Sequence, residues 1–518
     1  MHVSRALRRQ IPFTVFLPLL LLLFAAPLLA QEKTPAAWQF NVELGAGTLQ
    51  KPFTGRLYLL CGSANQVPRK TFDWFNLPPM IAVDVENMLP GKTYSIASSM
   101  PTVKTYPPQL TNDLLQHRSI QAIFRLNPFE PDPFEGEGNA VCMPQVVQLQ
   151  PEGSFGTPQT LVADRIVPPS KPPEDPQVKI FSHKSELLSR FFQRDFLLKA
   201  AVHLPRSYAH SPDRKYPVVY DTEGFGADHL SESPIGTLID QRTEPTEFIR
   251  VMLNPKCPLG HSTFADSANN GPFATALVTE FIPALEREFR MVAAPHARFL
   301  TGHSSGGWSS LWLQVSFPQF FGGVWSYSPD PVDFRDFQQI NLYAPDANMF
   351  FDARGDRRPI ARENGIPVLW YQDFSRMEEV YGHGSQLHSF EAVFSPRLPT
   401  GMPAPLWDRK TGRVDHAVAE AWKKYDIHLK LVDNWPTLKP HLAGKLHIFV
   451  GENDSFYLEG AVKLLKTSLQ ELGSDAVVEI FPGLDHDSIL SQDLMERNFK
   501  QMAQTFLRAG TPQPAVKN

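Results

Sequence analysis

The chain has 518 residues, too many for a single hydrophobic core, so two or three domains are expected. A net charge of −5 with 20% charged residues removes the electrostatic case for nucleic acid or an anionic membrane as partner. Proline, at 48 residues against the roughly 5% of an average protein, excludes a helical bundle and implies many loops and strand ends.

The N-terminus carries Arg5, Arg8 and Arg9, an apolar run from Ile11 to Leu29, and a polar start after Ala30. This pattern reads as a signal peptide over residues 1–30 and predicts a secreted or periplasmic protein. Leu28 is a poor fit to a small-residue cleavage site, and the run is nearly long enough to cross a bilayer, so an uncleaved anchor is the alternative. No cysteine stands at the cleavage point, which argues against a lipoprotein, and no membrane span is expected once the signal is removed.

Residues 31–165 read as a β-sandwich domain of immunoglobulin-like type. Strand-length pieces at 40–44, 55–60, 80–85, 93–97, 121–124 and 145–149 are separated by Pro, Gly and Asn. Trp38, Trp74 and Phe75 are either core residues or a carbohydrate- or surface-binding face. Cys61 and Cys142 are either a disulfide or two separate buried thiols, and Cys257 reads as structural. The stiff segment 166–176, Ile-Val-Pro-Pro-Ser-Lys-Pro-Pro-Glu-Asp-Pro, is a linker and marks a domain boundary.

Beyond it, over residues 177–510, strands alternate with helices, the signature of a mainly parallel sheet covered on both faces. Strands are expected at 196–204, 216–221, 248–253 and 323–328, with an amphipathic helix at 275–289 that Pro283 kinks or breaks. Residues 331–442, rich in aromatics, Pro and His, interrupt the alternation with one helical piece at 417–424, and read as a lid-like insertion. Trp370, Tyr371, Trp407 and Trp422 in it serve either a flat or sugar-linked substrate or the insertion's own core. The alternation resumes with strands at 445–450 and 476–481 and helices at 458–472 and 488–507.

Between an apolar strand and a buried helix lies Gly302-His303-Ser304-Ser305-Gly306, a G-x-S-x-G match in strand–turn–helix context. A serine on so sharp a turn holds strained dihedrals, so the positions two before and two after it need to lack side chains. The turn lifts the Ser304 hydroxyl above the sheet and leaves the Ser305 amide at a helix N-terminus, facing any oxyanion. A serine hydroxyl needs an imidazole base, and that base needs a carboxylate to hold its tautomer. His486 is the only histidine C-terminal to Asp454 and follows a strand and a Pro-Gly turn. Asp454 is favoured as the acid, with Glu452 as alternative and a helix N-cap as the other reading of Asp454. Asp485 is expected at the surface, and His303 packed or lining the pocket. For the second oxyanion donor the Gly224-Phe225-Gly226 loop offers the Phe225 amide. His383/His388 and Asp415/His416 lack metal-ligand spacing, so neither metal nor cofactor is expected.

The elbow, the segment Phe264-Ala-Asp-Ser-Ala-Asn-Asn-Gly-Pro272 and the Glu280-Phe-Ile-Pro283 helix together resemble the putative esterase family of α/β-hydrolases. That family includes esterase D, enterochelin esterases, feruloyl esterases and mycolyltransferases. The resemblance covers about 196–328 and 445–507 and implies an acyl hydrolase with Ser304, Asp454 and His486 in the triad positions. The chain departs from the family at Glu223-Gly224, where a histidine-glycine pair is common, and in its insertion and N-terminal domain, so the substrate does not carry over. The reading is an exported serine esterase acting on a small-molecule or glycan-linked ester. An acyltransferase with the same triad, or a glycan- or siderophore-binding protein on a hydrolase fold, are its alternatives, and oligomeric state is left open.

Overall fold

The computed structural model describes residues 38–147 and 160–510, so the signal peptide and the end of the strand expected at 145–149 lie outside the described residues. Eight strands form the C-terminal sheet. Their order is Val178–Lys184, Leu197–His203, Ile249–Leu253, Val218–Thr222, Arg298–His303, Gly323–Tyr327, Leu446–Gly451, Val477–Phe481. The first two pairs in this order are antiparallel and the other five are parallel, so the C-terminal ends of the last six strands point to one rim. This is an α/β-hydrolase-like sheet. The central strands are buried end to end, the expected consequence of helices on both faces.

The edge strand Val178–Lys184 was not apparent in the sequence, because as a half-covered edge its residues are mostly exposed or intermediate and no apolar run marks it. The expected 275–289 helix is Phe273–Ala276, a π turn Leu277–Phe281, and Ile282–Glu288. The wide turn falls just before Pro283, at the start of the next α segment, so the break occurs where the proline needs no amide donor.

The N-terminal strands hydrogen-bond into one nine-stranded sheet instead of two separately bonded sheets, with a parallel pair between Gln39–Leu44 and Thr160–Ile166. One face encloses a core that includes Trp38, Phe53, Leu59 and Phe124. Alternate residues on the other face, Tyr58, Leu60, Met80 and Ala82, join the hydrophobic cluster of the C-terminal sheet. Cys61, Cys142 and Cys257 are buried free thiols. Cys61 and Cys142 sit on strands that flank Ser119–Phe124, with Cys61 opposite Ile120. One intervening strand places them about two strand spacings apart, roughly 9–10 Å, beyond disulfide reach. Burial pushes the Cys257 thiol up to about 12, consistent with an inert packing residue.

Residues 331–442 contain the hairpin Pro359–Glu363/Ile366–Trp370 and the helices Tyr371–Tyr381, Gln386–Phe394, His416–Trp422 and Ile427–Leu442. Tyr371, Trp407 and Trp422 are buried in this segment's own packing, which answers the choice left open for them. The segment is held from two sides. The N-terminal sheet binds the end of the Tyr371–Tyr381 helix through the Tyr58 hydroxyl, which donates to the Tyr381 carbonyl at 2.6 Å. Arg125 donates to the His383 carbonyl at 2.9 Å. On the opposite side Arg362 donates to the carbonyl of Asp454 at 3.0 Å, and its amide to that of Ser455 at 2.8 Å.

Candidate active site

Ser304 stands between the strand Arg298–His303 and the helix Ser305–Ser316 with φ 58° and ψ −124°. A non-glycine residue rarely holds such angles, and here close packing enforces them. A Cβ on Gly306 would lie 1.7 Å from the Thr222 carbonyl oxygen, and one on Gly302 would lie 2.4 Å from that of Gly306. Both glycines are thus sterically required, as the motif predicts. Gly306→Ala is expected to destabilise the protein by about 3 kcal/mol or more, because the clash is with backbone that cannot swing away. A urea-denaturation midpoint unchanged from wild type would show that the elbow tolerates a side chain.

The structure brings His486 and Asp454 together. His486 Nδ1 donates to Asp454 Oδ2 at 2.8 Å, with both side chains buried. Asp454 Oδ1 accepts the amide of Phe456 at 2.9 Å, so the aspartate orders its own loop while facing the imidazole. Burial alone would raise the Asp454 carboxyl, but the His486 charge and these hydrogen bonds outweigh it and hold the group below its ordinary value. Burial lowers the His486 imidazole while Asp454 raises it, and the net shift is upward. Glu452 is exposed on the same loop. Asp485 caps the following turn, accepting the Ser488 amide at 2.8 Å, and is half-buried.

The loop bearing His486 is fixed by its carbonyl, which accepts His303 Nε2 at 2.9 Å and the Ser328 hydroxyl at 3.2 Å. His303 itself is driven down to about 3 by burial and by His486, so it is neutral near pH 7 and holds the loop as a donor. Ser304 and His486 line one cavity of about 380 Å³, together with Gly224, Phe225, His303 and Asp330. The structure records no hydrogen bond between Ser304 and the imidazole. Such contacts commonly tighten only when substrate is bound.

Gly224 lies against Ser304, since a Cβ there would be 3.1 Å from Ser304 Cβ. The loop is anchored by His261, whose Nε2 donates to the Glu223 carbonyl at 3.4 Å. Glu223, at the position where the resemblance would put histidine, is buried, and burial with the neighbouring Asp221 pushes its carboxyl up. Asp330 went unnoticed in the sequence. It follows the strand Gly323–Tyr327, lines the cavity and accepts the Ser305 hydroxyl at 2.5 Å. Burial raises it to about 6 against the pull of that hydroxyl and of His486. No local motif marks Asp330; only its place just past a strand end could have drawn notice.

Among the described residues two groups of side chains lie close enough to share a cation: His303, His486 and Asp487 within this site, and Asp333, Asp426 and His428 outside it. In the second, Arg335 already bridges, reaching Asp333 at 2.6 Å and His428 Nε2 at 3.1 Å. Among the described residues no helix is long and apolar enough to cross a membrane.

No curated protein matches the chain. Among solved structures it is similar to a ferulic acid esterase, at 14% identity over 64% of this chain and 98% of that one, with a TM-score of 0.42. It is similar to a fluorophosphonate-binding serine hydrolase of Staphylococcus aureus at 14% identity, over 63% and 97% of the two chains, with a TM-score of 0.39. An S-formylglutathione hydrolase of Agrobacterium tumefaciens gives 16% identity, 64% and 95% coverage, and a TM-score of 0.37. The model of the Esterase family, described as putative esterase, matches residues 195–472, more than half of the sequence and including the elbow. The chain therefore belongs to the putative esterase family, and its activity class is carboxylic ester hydrolysis.

Proposed function

We propose that this protein is an exported serine esterase in which Ser304 attacks the ester carbonyl carbon and His486 Nε2 takes the hydroxyl proton. Asp454 keeps the other ring nitrogen protonated and steadies the imidazolium that forms. The negative charge on the carbonyl oxygen is received by the amides of Ser305 and Phe225, each such donor being worth about 3–4 kcal/mol in the transition state. Collapse expels the alcohol, which carries away the proton from His486, and leaves an acyl-serine. Water, deprotonated by His486, then attacks the acyl carbon and releases the acid.

The observation that carries this reading is the buried Asp454–His486 pair opening on the same cavity as a serine held at positive φ. Further parts belong to the same proposal. Residues 1–30 direct export, 31–165 form an N-terminal domain, 166–176 link it, and 177–510 form the catalytic domain with its insertion at 331–442. The substrate is a small-molecule or glycan-linked ester.

Its test is chemical. A fluorophosphonate should add to Ser304 alone, read by peptide mass spectrometry, and p-nitrophenyl butyrate should give a burst of nitrophenol equal to the labelled sites. Labelling elsewhere, or steady turnover of an enzyme whose Ser304 is unlabelled, would sink the assignment.

A further inference from the structure

The catalytic cavity is not closed by the catalytic sheet alone. One of its walls comes from residues 63–79, the connection between the strands Phe53–Gly62 and Met80–Met88 of the N-terminal sheet. This connection lies outside the stretch matched to the esterase family. The Trp74 indole packs between two rings of the site, 5.2 Å from Phe225 on the oxyanion loop and 5.3 Å from Phe374 in the insertion. Next to it Phe75, 38% exposed at the mouth, lies 5.8 Å from Phe456. Phe456 in turn stands edge-on to the His486 imidazole at 4.9 Å.

Behind Trp74 is a second cavity, of about 460 Å³, between the N-terminal sheet and the catalytic domain. The two cavities share Trp74, Phe225 and Ala227 as lining. The second one is lined by the rings of Phe72, Phe134 and Tyr381, with charged side chains such as Arg69, Glu135 and Lys256 beside them. It therefore offers apolar surface that a ligand in the first cavity would reach by passing the indole.

We propose that Trp74 is the specificity-determining residue of this esterase, a partition that ends the catalytic cavity and restricts it to esters with a short or single-ring apolar half. This rests on reading Ser304 as the nucleophile. A large flat ring held between two others is a stiff stop, and it is borne on a sheet whose outer face shares a core with the catalytic domain. An ester with a longer chain on the side facing Trp74 leaves its end unburied, and each methylene so lost costs about fourfold in kcat/KM. Without the indole the chain runs on into the second cavity.

The experiment compares kcat/KM for decanoyl and butyryl p-nitrophenyl esters, and for decyl and ethyl butyrates, in wild type, Trp74→Ala and Trp74→Phe. The long-to-short ratio should rise at least about tenfold in one series for Trp74→Ala and about threefold for Trp74→Phe. The series that responds identifies the half of the ester lying toward Trp74. Ratios within twofold of wild type in both series, or a fall, overturn the partition. Should Trp74→Ala fail to fold, Trp74→Phe decides by the same ratio. Every preparation is titrated with a fluorophosphonate. A wild type that is not labelled overturns both readings, whereas labelled enzymes with constant ratios overturn the partition alone.

Discussion

Ser304→Ala is expected to lower kcat for p-nitrophenyl butyrate by about 10⁶-fold, or about 8 kcal/mol of transition-state stabilisation. No neighbour can stand in for it. Ser305 is buried and its hydroxyl is committed to Asp330 at 2.5 Å, while the ring of His303 is tied to the His486 carbonyl at 2.9 Å. The substitution removes one oxygen from a half-buried position and so should leave the melting temperature within a few degrees of wild type. A residual rate about 10³ above water is expected, because the amides of the oxyanion site and the binding surfaces survive. Activity above about 1% of wild type in a sample free of contaminating esterase would remove Ser304 from the mechanism.

Asp454→Asn should cost about 10⁴-fold in kcat, since the amide can present its NH₂ to Nδ1 and select the wrong tautomer. Its pH profile adds a signed test. The proposed mechanism needs neutral His486, and Asp454 raises the imidazole above its ordinary value. Wild-type kcat/KM should therefore fall as pH drops through a value above histidine's ordinary one. In Asp454→Asn the upward pull is gone while burial still depresses the ring, so the acid limb should move to lower pH. An acid limb that stays in place would mean that another group governs it. Glu452→Gln serves as the contrast: its side chain is exposed, and the profile should be unmoved.

What could be read from the sequence follows from how locally each feature is determined. The elbow was legible because its strain must be relieved within five residues, and Gly302 and Gly306 meet that need at fixed spacing. Asp454 and Glu452 share one loop, two residues apart, and only the fold shows one against His486 and the other in solvent. Asp454 is not the N-cap of the following helix, which starts after Leu458 with no side-chain cap; its two oxygens serve a loop amide and the imidazole separately. The cavity walls were illegible. Trp74 meets Phe225 and Phe374 across long sequence separations, while Trp407 and Trp422 of the insertion, which looked equally suited to a ligand, went into its interior and Trp370 is half-buried. Composition could not tell these aromatics apart, because stacking surface and packing volume come from the same rings.

The grip on residues 331–442 from two sides bears on how such an enzyme selects among esters. Arg362 and Gln338 of that segment hydrogen-bond the carbonyls of Asp454 and Phe456, at 3.0 and 3.1 Å, while the N-terminal sheet holds its Tyr371–Tyr381 helix. Swinging the segment outward would break these bonds and pull on the loop that bears Asp454. With the segment so tied, selection among esters is expected to fall to the shape of the cavity mouth. It also means that the segment is not an interchangeable cassette: transplanting one from a relative would import a new mouth together with a misaligned aspartate.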